Sequence, residues 1–192
     1  MFVKNRGTNI TLAVAAVLAA LLQPSPTVAQ TQPQFVEYSA KFVCGVAEGN
    51  QPGIRPGTYA TSINIHNPQL PLAGTVESII FLKKAVVSLP EGSKPIPPSR
   101  FRRDVLAADF AEEVDCKTIR SLFGISLPPF IEGYVVIIVP PSANASSQEL
   151  DVQGIYTATP LNGPGIALEI VPITPRFIPA QPGASIDGKL LE

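Results

Sequence analysis

Three groups of residues in this 192-residue chain carry side chains capable of chemistry. The first is His66, the only histidine, so every histidine-dependent mechanism must pass through it. It closes the alternating stretch Thr58–His66 and precedes Asn67-Pro68. Proton transfer from it would need a carboxylate or nucleophile within about 3.2 Å, or one bridging water. The position before Asn-Pro instead predicts a residue that fixes a turn, and that is the expectation.

The second group is acidic: Asp104, Asp109, Glu112, Glu113 and Asp115. Two such carboxylates, Glu113 and Asp115 for example, are what a glycosidase uses, and several together can hold Ca²⁺. Glu113 and Asp115 share the outward face of Ala111–Cys116. No fixed-spacing calcium loop frames them, so a solvated face is expected. Basic residues gather nearby at Lys94, Arg100, Arg102 and Arg103, with Lys83-Lys84 upstream. A nucleic-acid surface wants a larger basic excess and exposed aromatics for stacking. The net charge of −1 argues against that partner, and pairing within the chain is expected.

The third group is Cys44 and Cys116. Two thiols and one histidine are sparse for a metal centre, and their spacing matches no zinc pattern. No G-x-S-x-G elbow, H-E-x-x-H helix or phosphate-cradling loop occurs. No catalytic set, metal or cofactor is therefore expected. Asn144-Ala-Ser146 fits a glycosylation sequon on a loop.

The elements that must carry these residues begin after an address label. Lys4 and Arg6 lead an apolar run of 13 residues, Ile10–Leu22, followed by Gln23–Ala29 with its prolines and small residues. That is the layout of a secretory signal spanning 1–29, and it is shorter than the roughly 20 apolar residues of a membrane span. A secreted or periplasmic location is expected, with no later membrane span. In an oxidising compartment Cys44 and Cys116 can persist as a disulfide. Tyr38, Ala40, Phe42 and Cys44 share one face of a strand, and Val114 and Cys116 share another, so both cysteines are expected at the inner-face end of a strand. Closing a loop of roughly 73 residues would stabilise the fold by about 4 kcal/mol on a chain-entropy account.

With 21 prolines, 45% hydrophobic and 15% charged residues, the chain is too proline-rich for a helical bundle and too apolar for general disorder. Strands are expected over 35–44, 58–66, within 75–89, at 102–106, 111–116, 130–139, 150–157 and 165–173. Lys83-Lys84 is expected to mark where its strand emerges or bulges. The segments 102–106 and 111–116 suggest a hairpin around 107–110, and Tyr134–Val139 suggests a central strand buried on both faces. Gly154 suggests a β-bulge, and Pro172 an edge strand. Lys117–Phe123 is the one helical candidate, ended by Gly124. This pattern predicts an all-β fold, an antiparallel β-sandwich of Ig-like or jelly-roll-like type with about seven or eight strands and one short helix. It occupies 30–174 as a single domain, and a Pro/Gly-rich, poorly ordered tail follows over 175–192.

The succession G-T-Y-A-T-S-I-N-I-H-N-P (57–68), K-K-A-V (83–86), A-x-E-V-D-C (111–116), G-Y-V-V-I (133–137) and L-D-V-x-x-I-Y-T-A (150–158) resembles a group of uncharacterised exported bacterial proteins. The resemblance spans residues 36–160. It implies export and fold kinship and carries no catalytic residue with it. The functional expectation is a non-catalytic module with a binding, adaptor or structural role toward a protein or envelope partner. Its rivals are a carboxylate-dependent hydrolase acting on carbohydrate and a ligand- or cation-sensing domain.

Overall fold

The computed structural model describes residues 34–49, 53–70, 78–141 and 149–180. The expected signal segment, the Asn144 sequon and the last twelve residues, 181–192, lie outside them. The elements in chain order are β1 (Gln34–Ala47), β2 (Gly57–His66), β3 (Ile79–Ser88), β4 (Arg102–Leu106), β5 (Ala111–Asp115), α1 (Cys116–Phe123), β6 (Ile131–Val139), β7 (Asp151–Pro160), β8 (Ala167–Pro172) and β9 (Arg176–Pro179). The expected all-β class with one short helix is what the chain adopts.

Every strand pairing is antiparallel. One ladder runs β4-β3-β6-β1, with β9 on the free side of the start of β1. The other contains β2, β7 and β8, with β5 on the opposite edge of β2. They are not separate sheets. Gly45–Ala47 at the end of β1 pairs with Gly57–Tyr59 of β2, so the described strands form one hydrogen-bonded sheet. Both ladders feed one core: Tyr38, Phe42, Phe81, Val135 and Ile137 from the first, Ile63, Ile65, Val114 and Val152 from the second. Period-2 alternation places these residues on one face of each strand.

The join is a fork. Along β2, residues 57–59 pair with β1, while 62–66 pair with β5. Thr61 stands between these two stretches. Its hydroxyl accepts from the Val43 N–H at 2.9 Å and donates to the Val43 carbonyl at 3.0 Å, replacing the ladder as β1 peels away. Cys44 and Cys116 are joined at this point, with Cα atoms 5.7 Å apart. The Thr61 N–H donates to Cys116 Sγ at 3.2 Å. Gly45 turns the chain out of the fork with φ 107°, where a Cβ would meet the Pro129 carbonyl oxygen at 1.9 Å.

Four local expectations need correcting. β4 and β5 do not form a hairpin: β4 pairs with β3 and β5 with β2. The segment 107–110 crosses from one ladder to the other. Buried Asn67 holds it there through bonds to the Leu106 and Phe110 carbonyls and from the Asp109 N–H, each 3.0 Å. β6 is central but buried on one face, since Tyr134 is 44% exposed on the other. β7 pairs with β2 without a break across Gly154, so there is no bulge; Gly154 makes room for the Tyr156 ring instead. Finally, Arg176–Pro179 within the expected tail forms β9 against β1.

α1 begins where expected within one residue. The Asp115 carboxylate caps it by accepting from the Thr118 N–H at 2.7 Å, and Gly124 ends it in the left-handed conformation.

Candidate functional site

An apolar groove lies along the β7–β8 end of the second ladder. Its volume is about 760 Å³, and its lining includes Lys41, Val43, Tyr59, Tyr156, Glu169 and Val171. A second depression of about 440 Å³, bounded by Arg55, Pro56 and Ile166, shares Tyr59, Ala158 and Ala167 with it. The two make one trough. Register explains the lining: Tyr156 lies opposite Glu169, and Ala158 opposite Ala167, so inward positions of β7 and β8 face the trough together.

Two tyrosines are fixed in it. The Tyr59 hydroxyl donates to the Arg55 carbonyl at 2.7 Å, and its ring meets Phe130 edge-on at 5.9 Å between centroids. The Tyr156 hydroxyl donates to the Lys41 carbonyl at 2.9 Å. Burial raises the Tyr156 pKa above the ordinary phenol value, and the charge of Glu169 adds to the effect. Lys41 pairs with Glu132 at 3.2 Å. The trough thus offers aromatic and aliphatic walls with Lys41, Arg55 and Glu169 at its margin.

β8 completes this site. It hydrogen-bonds only to β7 among the described strands. Leu168, which lines the groove, and Ile170 are 63% and 58% exposed, and Ile166 at the second depression is 73% exposed. Edge strands usually carry charges or prolines that discourage pairing. Here Glu169 and the terminal Pro172 are the only such residues in β8.

His66 occupies a different depression of about 380 Å³, with Asn64, Glu112, Glu113, Asp151 and Gln153. Its Nε2 lies 3.5 Å from Asp109 Oδ1, and Asp109 is largely exposed. No serine or free thiol lines that depression. Asn67 also fixes this turn, its side chain reaching both the Leu106 carbonyl and the Gln69 N–H, while His66 meets the 107–110 crossing through Asp109. The carboxylate pair offered by the sequence is divided. Glu113 accepts from the Ser62 hydroxyl at 2.7 Å, while Asp115 is spent on the helix cap, whose hydrogen bonds hold its carboxyl below the usual carboxylate range. Among the described residues no group of three or more His, Cys, Asp or Glu is placed to hold a metal.

The remaining acids belong to a cluster that the sequence reading missed. Lys83 neither emerges nor bulges; its side chain is fully buried. Nζ lies 3.0 Å from Asp104 Oδ2 on β4, touches Glu112 Oε1 on β5, and sits 5.8 Å from the centre of the Phe81 ring. Burial depresses its pKa, and Asp104 opposes that shift. Charge pairing within the chain therefore centres on Lys83, with Arg102 Nε 3.5 Å from Asp104 Oδ1. No ion pair among the described residues involves Lys94, Arg100 or Arg103. A signal for Lys83 was present: it shares parity with Ile79, Phe81, Ala85 and Val87. Lys84, of opposite parity, lies over the Phe101 ring at 4.6 Å.

No helix among the described residues is long and apolar enough to cross a membrane. No protein-family model, curated protein or solved structure matches this chain.

Proposed function

We propose that the chain is an exported, non-catalytic binding module that captures an extended apolar segment of a protein partner along β8. The observation that carries this reading is an apolar strand edge, unpaired among the described strands, beside a trough of about 760 Å³. Strand addition draws its affinity from main-chain hydrogen bonds and its specificity from pockets that accept alternate side chains. The free edge of β8 supplies the first, and the trough walled by Tyr59 and Tyr156 supplies the second. Export is supported by the signal pattern of residues 1–29, by the Cys44–Cys116 disulfide and by the resemblance to exported bacterial proteins. A secreted or periplasmic adaptor is the role that joins these features.

The test is titration of isotopically labelled protein with extended peptides of alternating Val and Thr, followed by amide chemical shifts. Shifts should concentrate in β7, β8 and around Tyr59, and Leu168→Glu should weaken binding at least tenfold. Shifts confined to the His66 depression would overturn the assignment. So would hydrolysis of a peptide or glycan that His66→Ala abolishes in a folded protein.

A further inference from the structure

The Lys83 cluster brings an amine and two carboxyl groups from three strands to one buried point. We propose that Lys83 Nζ condenses with Glu112 Cδ, forming an intramolecular amide that links β3 covalently to β5, with Asp104 as the proton-transfer group.

Placement supports the bond first. Lys83 is fully buried, and its Nζ is in contact with Glu112 Oε1 and 3.0 Å from Asp104 Oδ2. Reactants fixed in this way reach effective concentrations of about 10⁵–10⁸ M. Asp104 Oδ2 is buried and takes no other hydrogen bond among the described residues, which leaves it available to a proton on Nζ. The ring of Phe81 stands beside the amine on the same strand.

The roles of the two acids follow from their neighbours. Attack requires a neutral amine and a neutral carboxylic acid, together with a carboxylate to move the proton. Arg102 Nε lies 3.5 Å from Asp104 Oδ1, so Asp104 has a second cationic neighbour that Glu112 lacks. Glu112 makes its only described hydrogen bond or ion pair with Lys83 itself. Asp104 is thus the base and Glu112 the group attacked. Burial favours the neutral amine, since it lowers the Lys83 pKa.

The step balances without a co-reactant. The Nζ lone pair adds to Glu112 Cδ, forming the C–N bond. Asp104 takes a proton from nitrogen and returns one to the departing hydroxyl, the C–O bond breaks, and water leaves. One amine and one carboxylic acid become one amide and one water, and Asp104 is regenerated. Glu112 also lines the open depression beside His66, which gives the water an exit. The exchange replaces a buried charge pair, costly to desolvate, by a neutral amide. The bond lies away from the β8 trough and is independent of the binding reading.

The experiment is the intact mass of the purified, processed protein after N-terminal sequencing and full reduction of the disulfide. The expected mass is that of the sequence less one water, and tandem mass spectrometry should find the Lys83 and Glu112 peptides joined. Asp104→Ala should restore the full mass while the circular dichroism spectrum and the disulfide persist. Glu112→Gln should release ammonia in place of water. A reduced wild-type protein of full sequence mass would overturn the proposal, whatever the variants do. So would a link from Lys83 to Asp104, or an undiminished link in Asp104→Ala.

Discussion

β6 and β8 are both written in apolar residues, Tyr134–Val139 in one and Ala167–Val171 with a single Glu in the other, yet they end in opposite environments. β6 runs between β1 and β3, and its inward residues Ile131, Val135, Ile137 and Val139 are buried. Among the described strands β8 pairs only with β7, and every residue of it but Val171 is exposed. Hydrophobicity therefore selects the strand, while position in the ladder decides what the apolar surface is for. Between two partners it becomes core. At an edge it becomes a surface that water covers poorly, the form an interaction site takes.

Stability measurements can break or sharpen that contrast. Ile137→Ala should cost about 2–5 kcal/mol, because it removes buried methyl groups between two paired strands. Urea denaturation of the full chain measures it, and a loss under about 1 kcal/mol would mean β6 is not the centre of the core. Replacing both cysteines by Ser should cost about 4 kcal/mol by the loop-entropy account. The same denaturation series tests whether the fork between β1 and β2 needs its covalent pin.

Tyr38 links the first ladder to the entry of β7. Its hydroxyl donates to the Leu150 carbonyl and accepts from the Leu150 N–H, both at 2.8 Å. Tyr38→Phe should therefore cost about 1–3 kcal/mol by stranding both groups. Burial pushes the Tyr38 pKa up to about 12 from 10.0, despite the opposing bond to Leu150. A folded pKa above the unfolded one gives stability that is complete below about pH 10 and lost as pH rises toward about 12. Alkaline denaturation should show that loss in the wild type, and Tyr38→Phe should lack it. Asp115→Ala should cost about 1 kcal/mol through the lost cap. Its contribution in the wild type is present above the ordinary carboxylate range and disappears as pH falls through the lowered folded pKa. The smallest effect belongs to Leu168→Ala, within about 0.5 kcal/mol, since a side chain 63% exposed has little to lose. A cost comparable to Ile137→Ala would erase the distinction between the strands.

Much of the frame was legible because period-2 alternation survives wherever one face is buried. β1, β2 and β3 show it plainly, and the helix announced itself through Gly124. The cysteine pairing was legible too, although Cys44 lies within β1 and Cys116 opens α1 where the end of a strand was expected for each. The exchange of partners at 107–110 was not legible. A four-residue connection between two strands normally reads as a hairpin, and only the hydrogen bonds of distant Asn67 turn it into a crossing. The charged cluster was legible in parity and overlooked in chemistry, because a lysine is ordinarily read as exposed. The trough could not be read at all: its walls come from Lys41, Tyr59, Tyr156 and Glu169, which only the folded sheet brings together.

The fork has a kinetic consequence. β1 is the first described strand to be made, but apart from Gly45–Ala47, which pair with β2, its ladder partners are β6 and β9, and Tyr38 must wait for Leu150, 112 residues later. Contacts this distant in sequence slow folding, and until they form the apolar stretch of β1 before Gly45 lacks its ladder partners. Cys116 emerges before β6 begins at Ile131, so oxidation can tether β1 to the start of α1 ahead of β6 and β9. With two cysteines in the whole chain there is one intramolecular pairing to find and none to unscramble. The bridge then serves as a guide rail for assembly, drawing the earliest strand to its place while the strands that will cover it are still arriving.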